Sequence, residues 1–409
     1  MRLRKFFIIF CFLFLIIFLS CYTNISSASE LPFINDGSVY LMDSRTTKPL
    51  YSKDENSKMF PASTTKIMTA ILALENSNLD TVVTASYNAI SAIPEGYSTA
   101  DIQVGEQLTV EQLLELLLVH SANDAANVLA EYIGGSTDSF VSMMNTKLNE
   151  LGLVNTHFTN TYGLQDENHY TTAKDLAFLM KYCLQNETFR KISGQASCAI
   201  PATNMWGPRK YASTNELLIA ENENYYQYVF SGKTGFTSQA KHCLVTAAYN
   251  NDLELICVVL GNDDRFNVTR LLYDYAFSNY ELKNVINEND IVTNINVEGA
   301  SNDTKNLNLL ISEDIPALVD KNSDEELVPI IQLNDNISAP IYKGEVLGKV
   351  TYSINGVDYT TDLIAAHDVK KSNVITYLVL GLIGIILIFI IWFIIEKRKK
   401  ILKLSEIND

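Results

Sequence analysis

The amino-acid sequence predicts an α+β protein with a small all-β domain behind its main domain and one transmembrane helix near the C-terminal end. Three observations carry that expectation. Up to about residue 281, segments with apolar residues at helical spacing alternate with strand-like segments. After Glu281 the chain changes to short alternating stretches separated by Asn, Asp, Ser and Gly. Finally, Ile375 to Ile395 is an uncharged apolar run followed by Glu396-Lys397-Arg398-Lys399-Lys400.

The chain begins Met1-Arg2-Leu3-Arg4-Lys5, continues as an apolar run from Phe6 to Leu19 and reaches Ser26-Ser27-Ala28. A basic start, a short apolar core and a small-x-small site predict a secretory signal peptide over residues 1–28. A lipidation site at Cys21 is the alternative, though Phe18 and Leu19 fit such a box poorly. Val39-Tyr40-Leu41-Met42 then reads as a strand and Lys53–Lys58 as a polar turn. Thr64–Glu75, Thr109–Val119, Ser139–Leu151 and Thr172–Leu184 read as helices, the second apolar almost all round and therefore buried. Cys243–Tyr249 and Leu253–Leu260 form a hairpin about Asn250-Asn251-Asp252, and Leu271–Phe277 is a closing helix. These elements make a first domain of residues 29–281.

Residues 282–370 form the β-rich domain, with strands at Ile291–Val297, Leu307–Ile311 and Val350–Ile354. Asn355-Gly356 makes a two-residue hairpin turn. About 21 residues at 1.5 Å each cover roughly 31 Å, the thickness of a bilayer core, so residues 374–395 are expected to span one. The basic cluster keeps the tail, 396–409, in the cytoplasm and puts the domains on the extracytoplasmic side of the cell membrane.

Composition narrows the functions. A formal net charge of −16 excludes a nucleic-acid partner, because neutralising phosphates takes a surplus of Lys and Arg. The histidines are scattered and no C-x-x-C pair exists, so no metal site or cofactor is expected. Cys183, Cys198, Cys243 and Cys257 remain after the leader. Buried free thiols and disulfides both stand as readings in an oxidising compartment.

Three short motifs carry chemistry: Ser63-x-x-Lys66, Ser121-x-Asn123 and Lys233-Thr234-Gly235. Singly they are weak. S-x-x-K arises about once or twice by chance in such a chain, and Ser238 to Lys241 is a second copy. Ser86, Ser213 and Ser353 also begin S-x-N triplets. Placement gives them weight. Ser63 stands at the start of a predicted helix with Lys66 one turn on, so the amine can reach the hydroxyl. A serine needs such a proton acceptor, and the lysine must be desolvated and near a second cation to serve. Lys233 supplies that cation. The competing reading of Ser63 and Lys66 is a capping serine with a solvated lysine. Ser121 and Asn123 follow the buried Leu-rich helix, which holds two polar side chains at the floor of a cleft. Lys233 and Thr234 suit a substrate carboxylate at a sheet edge, and Gly235 lets an extended substrate approach. A phosphate loop is excluded because Gln227 stands where its first Gly belongs.

Pro61-Ala62-Ser63-Thr64-Thr65-Lys66-Ile67-Met68-Thr69, Ser121-Ala122-Asn123-Asp124-Ala125-Ala126 and Lys233-Thr234-Gly235-Phe236-Thr237 resemble the serine D-alanyl-D-alanine carboxypeptidases, the low-molecular-mass penicillin-binding proteins. The trio is the one known for β-lactamases and penicillin-binding proteins. Lesser matches are Leu151-Gly152-Leu153, Asn160 with Gly163-Leu164, His169 with Thr172-Ala173, and Val258-Val259-Leu260-Gly261. The resemblance covers about residues 35–280. It implies a β-lactamase/transpeptidase-like domain of helices packed on an antiparallel sheet. It implies Ser63 as nucleophile, Lys66 as proton acceptor, Ser121 and Asn123 as helpers and Lys233 as substrate ligand. The backbone N–H groups of Ser63 and Phe236 would form the oxyanion hole, and Arg265 would contact the terminal carboxylate. The implied partners are peptidoglycan stem peptides ending in D-Ala-D-Ala, and β-lactam antibiotics as covalent inhibitors. Thr161 and Lys241 depart from the family's usual Pro and Gly. A β-lactamase and a non-catalytic wall-binding or β-lactam-sensing module are the rival functions.

Overall fold

Five antiparallel strands form the main sheet, in the order Pro49–Lys53, Ser38–Asp43, Leu253–Leu260, Lys241–Asn250 and Val229–Thr237. The computed structural model describes residues 30–321, 323 and 327–405. The expected signal peptide lies outside the described residues. Strand period decides which side chains meet which layer. Val245, Ala247, Ile256 and Val258 point into the large helical core. Thr246 and its ladder partner Cys257 belong to the opposite parity, where Thr246 Oγ1 lies 2.8 Å from the Tyr273 hydroxyl of the Arg265–Asn279 helix. Helices thus cover both faces, which explains why Leu253–Leu260 is apolar almost throughout.

The helical layer is built around Lys66–Asn76, Val110–Leu118, Asn123–Gly134 and Ala173–Cys183. Thr109 and Gln112 close a reciprocal capping box at the start of the Leu-rich helix. Its Leu113, Leu114, Leu116, Leu117 and Leu118 are all buried, as the nearly uniform apolar pattern requires. Thr172 caps the Ala173–Cys183 helix. The closing helix begins at Arg265, six residues before the apolar spacing showed it, because its first turns are polar.

The described chain divides into two compact units. The first runs to Leu282 and takes in Asp320, and the second holds Lys283–Val319 and the chain from Ser323 on. In the second, five antiparallel strands run in the order Ile291–Asn296, Asn306–Ile311, Val357–Ala365, Val346–Ile354 and Pro329–Leu333. Leu307, Leu309, Ile311, Val350 and Leu363 fill its core. Asn355 and Gly356 have φ of +52° and +73°, the pair of left-handed residues that a tight hairpin turn needs. Val374–Ser405 is one helix, and Tyr377–Lys400 is long and apolar enough to cross a membrane. Cys183, Cys198, Cys243 and Cys257 are free and buried.

Candidate active site

Ser63 sits in a single 3-10 turn, Ala62–Thr65, that runs straight into the Lys66–Asn76 helix. The turn is entered through Pro61 without a side-chain cap, so the capping reading of Ser63 does not describe it. Lys66 Nζ lies 2.9 Å from Ser63 Oγ, 2.6 Å from Asn123 Oδ1 and 3.2 Å from the Tyr162 carbonyl. Lys66 is 0% exposed. Burial and then the Lys233 cation hold its amine well below the ordinary lysine range, with Asp124 opposing.

The turn is clamped from two sides. Gly163, at φ +94°, comes so close that a Cβ there would stand 1.8 Å from the Ala62 carbonyl oxygen. A Cβ on Gly235 would stand 2.9 Å from Pro61 O and 3.0 Å from Ser63 N, so the strand backbone packs directly on the serine's turn. Asn160 Oδ1 accepts from the amides of Gly163 and Leu164, both at 2.8 Å, and so fixes the loop that supplies the Tyr162 carbonyl.

Ser121 belongs to the short turn between the Leu-rich helix and the Asn123–Gly134 helix, whose first residue is Asn123. Ser121 is left-handed at φ +66°, a conformation a side-chain-bearing residue keeps only when its surroundings impose it. Asn123 already opens the next helix, and it is buried there.

Lys233, Thr234, Gly235 and Phe236 lie on the Val229–Thr237 edge strand. Lys233 is buried, donates to the Thr234 carbonyl at 3.0 Å, and is pushed down to about 7 by burial and by Arg265. Arg265 opens the closing helix and donates to the Gly235 carbonyl at 2.8 Å. Thr234 Oγ1 is 2.5 Å from Thr214 Oγ1, while Phe236 is exposed at the cleft mouth.

A cavity of about 470 Å³ gathers these residues. Ser63, Ser121, Thr234, Gly235, Phe236 and Arg265 line it, and Lys66, Asn123 and Lys233 are buried behind its wall. Sequence reading did not assign Gly96, Tyr97, Ser98, Thr214, Ser238 and Gln239 to the site, and these line the cavity as well, with Thr237. Thr214 left a trace inside the rival Ser213-x-Asn215 triplet, whose Ser213 Oγ accepts from the Asn215 amide, and Ser238 and Gln239 lie inside the rival Ser238-x-x-Lys241 copy. The other rival copies have local roles: Ser86 caps Tyr87–Ser91, and Ser353 lies on a strand of the second unit.

The family model of the D-alanyl-D-alanine carboxypeptidases, peptidase family S11, matches residues 25–264. The chain belongs to this family. The model of the C-terminal domain of penicillin-binding protein 5 matches residues 280–371 of the carboxypeptidase. D-alanyl-D-alanine carboxypeptidase DacF of Bacillus subtilis is 35% identical over 354 residues, 83% of this chain and 87% of its own. DacC of Escherichia coli is 29% identical over 351 residues, 80% of this chain and 82% of its own. Among solved structures, penicillin-binding protein 5 of Haemophilus influenzae is 28% identical with a TM-score of 0.66, covering 84% of the carboxypeptidase and 99% of that chain. The Streptomyces K15 DD-transpeptidase is 32% identical with a TM-score of 0.57, covering 61% and 99%.

Proposed function

We propose that Ser63 is the acyl-enzyme nucleophile of this D-alanyl-D-alanine carboxypeptidase, with Lys66 as its base. The observation that carries the assignment is the 2.9 Å approach of a fully buried amine to the serine hydroxyl. On the neutral amine, two N–H bonds donate to Asn123 Oδ1 and the Tyr162 carbonyl, which leaves the lone pair facing Ser63 Oγ–H. Ser63 Oγ attacks the penultimate D-Ala carbonyl carbon and its proton passes to Lys66. Ser121 relays that proton to the leaving nitrogen as the peptide bond breaks and terminal D-Ala departs. Water then attacks the ester carbonyl and gives a proton to Lys66, which passes it to Ser63 Oγ as the ester C–O bond breaks and the shortened peptide leaves as a carboxylic acid. The Ser63 and Phe236 amides bind the oxyanion. Lys233, Thr234 and Arg265 receive the terminal carboxylate.

The substrate is a peptidoglycan stem peptide ending in D-Ala-D-Ala, and β-lactams acylate the same serine. Residues 29–281 form the catalytic domain and 282–370 the β-rich domain. The helix from 374 anchors both on the extracytoplasmic face of the cell membrane. No carboxylate is among the described residues lining the cleft, so the site offers no Asp or Glu placed to activate deacylating water as in class A β-lactamases.

Mass spectrometry of a stem pentapeptide after incubation with the enzyme should show loss of one alanine. A fluorescent penicillin should label Ser63, and Ser63→Ala should abolish both. A pentapeptide left intact by the wild type, with no adduct on Ser63, rejects the proposal.

A further inference from the structure

Asp124 follows the Ser121-Ala122-Asn123 turn directly, and its carboxylate is 2% exposed. A buried carboxylate has to spend its lone pairs on donors. This one spends them on the backbone of a loop remote in sequence: Ala100 N at 3.1 and 3.0 Å and Ile102 N at 3.0 Å, besides its own neighbour Ala125 N at 2.9 Å. The loop is the one whose Gly96, Tyr97 and Ser98 line the cleft. Residues on either side of Ser121 take hold of the same segment. Asn123 N donates to Ser98 O at 2.9 Å, and His120 Nε2 meets Thr99 O at 3.2 Å. Between these contacts stands Ser121, in its left-handed conformation.

We propose that Asp124 is a positioning residue for the acyl transfer: its grip on the Ala100 and Ile102 amides holds the cleft rim against the Ser121 turn and keeps Ser121 aimed at the leaving group. This rests on the assignment of Ser63 and Ser121 given above. The rim and the turn carry cleft residues but only short stretches of regular structure. Without the carboxylate, two buried amides lose their acceptor, the rim lifts, and Ser121 is free to relax. The Asp124 charge also acts on the base, opposing the burial and the Lys233 cation that lower the Lys66 amine's pKa. The groups that bear on Lys66 are Lys233 on the edge strand, with Arg265 behind it, Asp124, and the Tyr162 ring at 5.9 Å. His120 faces Asp124, and His169 meets Thr65 at 2.8 Å.

The test compares the full chain in detergent micelles with Asp124→Asn and Asp124→Ala. The rates of Ser63 acylation by a fluorescent penicillin and of D-Ala release are followed against pH, together with thermal unfolding. Asp124→Ala should slow acylation on the order of a hundredfold, the cost of a misplaced catalytic group. Asp124→Asn keeps one oxygen acceptor and the shape of the side chain, and should slow it about tenfold in the folded protein. Its acidic limb should move to lower pH, because Lys66 loses the negative charge that favours its ammonium form. Should Asp124→Ala not fold, Asp124→Asn decides alone. Wild-type rates in folded Asp124→Asn, or a loss that only tracks the unfolded fraction with the acidic limb unmoved, overturn the proposal. A wild-type chain that penicillin does not label at Ser63 would instead strike at the assignment of the nucleophile.

Discussion

Lys66 and Lys233 are both buried lysines, and the proposed mechanism asks opposite protonation states of them. Lys66 must be neutral to accept the Ser63 proton, so acylation should rise with pH through its depressed pKa. Lys233 must be charged to receive a carboxylate, so the rate should fall again as pH climbs past about 7 in the free enzyme. A bound carboxylate stabilises the ammonium form and should shift the falling limb to higher pH in the complex. Stopped-flow acylation across pH 4–10 (roughly the range in which buried lysines titrate) should therefore give a bell. Lys233→Arg, which stays charged throughout, should lose the alkaline limb at a lower plateau, since a guanidinium does not replace an ammonium in a tight site. An alkaline limb that survives in Lys233→Arg would assign it to another group. The same depression bears on stability. Between about 7 and the ordinary lysine range the unfolded chain holds a proton at residue 233 that the folded one does not, so Lys233 makes the fold more stable as pH rises through that window.

At the scale of elements, the three motifs were legible because each depends on spacing. One helical turn separates Ser63 from Lys66, and a strand parity puts Lys233 and Gly235 on one side of the edge strand. The Asn123–Gly134 helix was not legible, because its buried residues mix Asn123, Asp124, Asn127 and three alanines with only Val128 and Leu129, which is too weak an apolar stripe to read. The cleft rim at Gly96–Ser98 was equally hidden, since a loop held by a distant carboxylate leaves no period in the sequence. The Thr161 departure now has a local account: its hydroxyl donates to Asn127 at 2.7 Å and its carbonyl accepts from Thr69 at 2.5 Å. Lys241 has φ +55°, a left-handed position that suits glycine, and it stands at the first residue of the Lys241–Asn250 strand, where the hairpin turn ends. Gly163 is the sharper case. Gly163→Ala adds a Cβ both in a left-handed position and against the backbone of the Ser63 turn. It should destabilise the protein by about 2 kcal/mol or more and slow acylation at least on the order of a hundredfold. Calorimetry with penicillin labelling checks it, and an active, equally stable variant would show that the 3-10 turn tolerates displacement.

At the scale of the whole molecule, the sheet of the first unit closes only when Ser38–Asp43 pairs with Leu253–Leu260, so segments far apart in sequence must both be present before the Lys233 edge has its full sheet behind it. The second unit was legible from alternation and one Asn-Gly turn, but the order of its strands was not, since pairing partners carry no local signature. The terminal helix is different in kind. Leu378, Leu380, Ile388, Phe389 and Ile395 are all more than a third exposed, and a helix apolar on every side needs lipid or another apolar surface around it. Ser372 N still donates to Gly299 O at 2.8 Å, so the chain is tied to the second unit two residues before the helix begins at Val374. A chain ended after Ser372 keeps every described contact of both units and loses only the apolar helix. Expressed in cells, the full chain should sediment with membranes and resist extraction by salt, whereas the shortened chain should appear in the soluble fraction. Its acylation by a soluble penicillin should stay within about twofold of the full enzyme, because none of the groups that set the Lys66 amine lies beyond residue 282. A shortened chain still retained by membranes would place the anchor elsewhere. One that stays soluble but no longer acylates would mean that the helix shapes the catalytic cleft as well as tethering it.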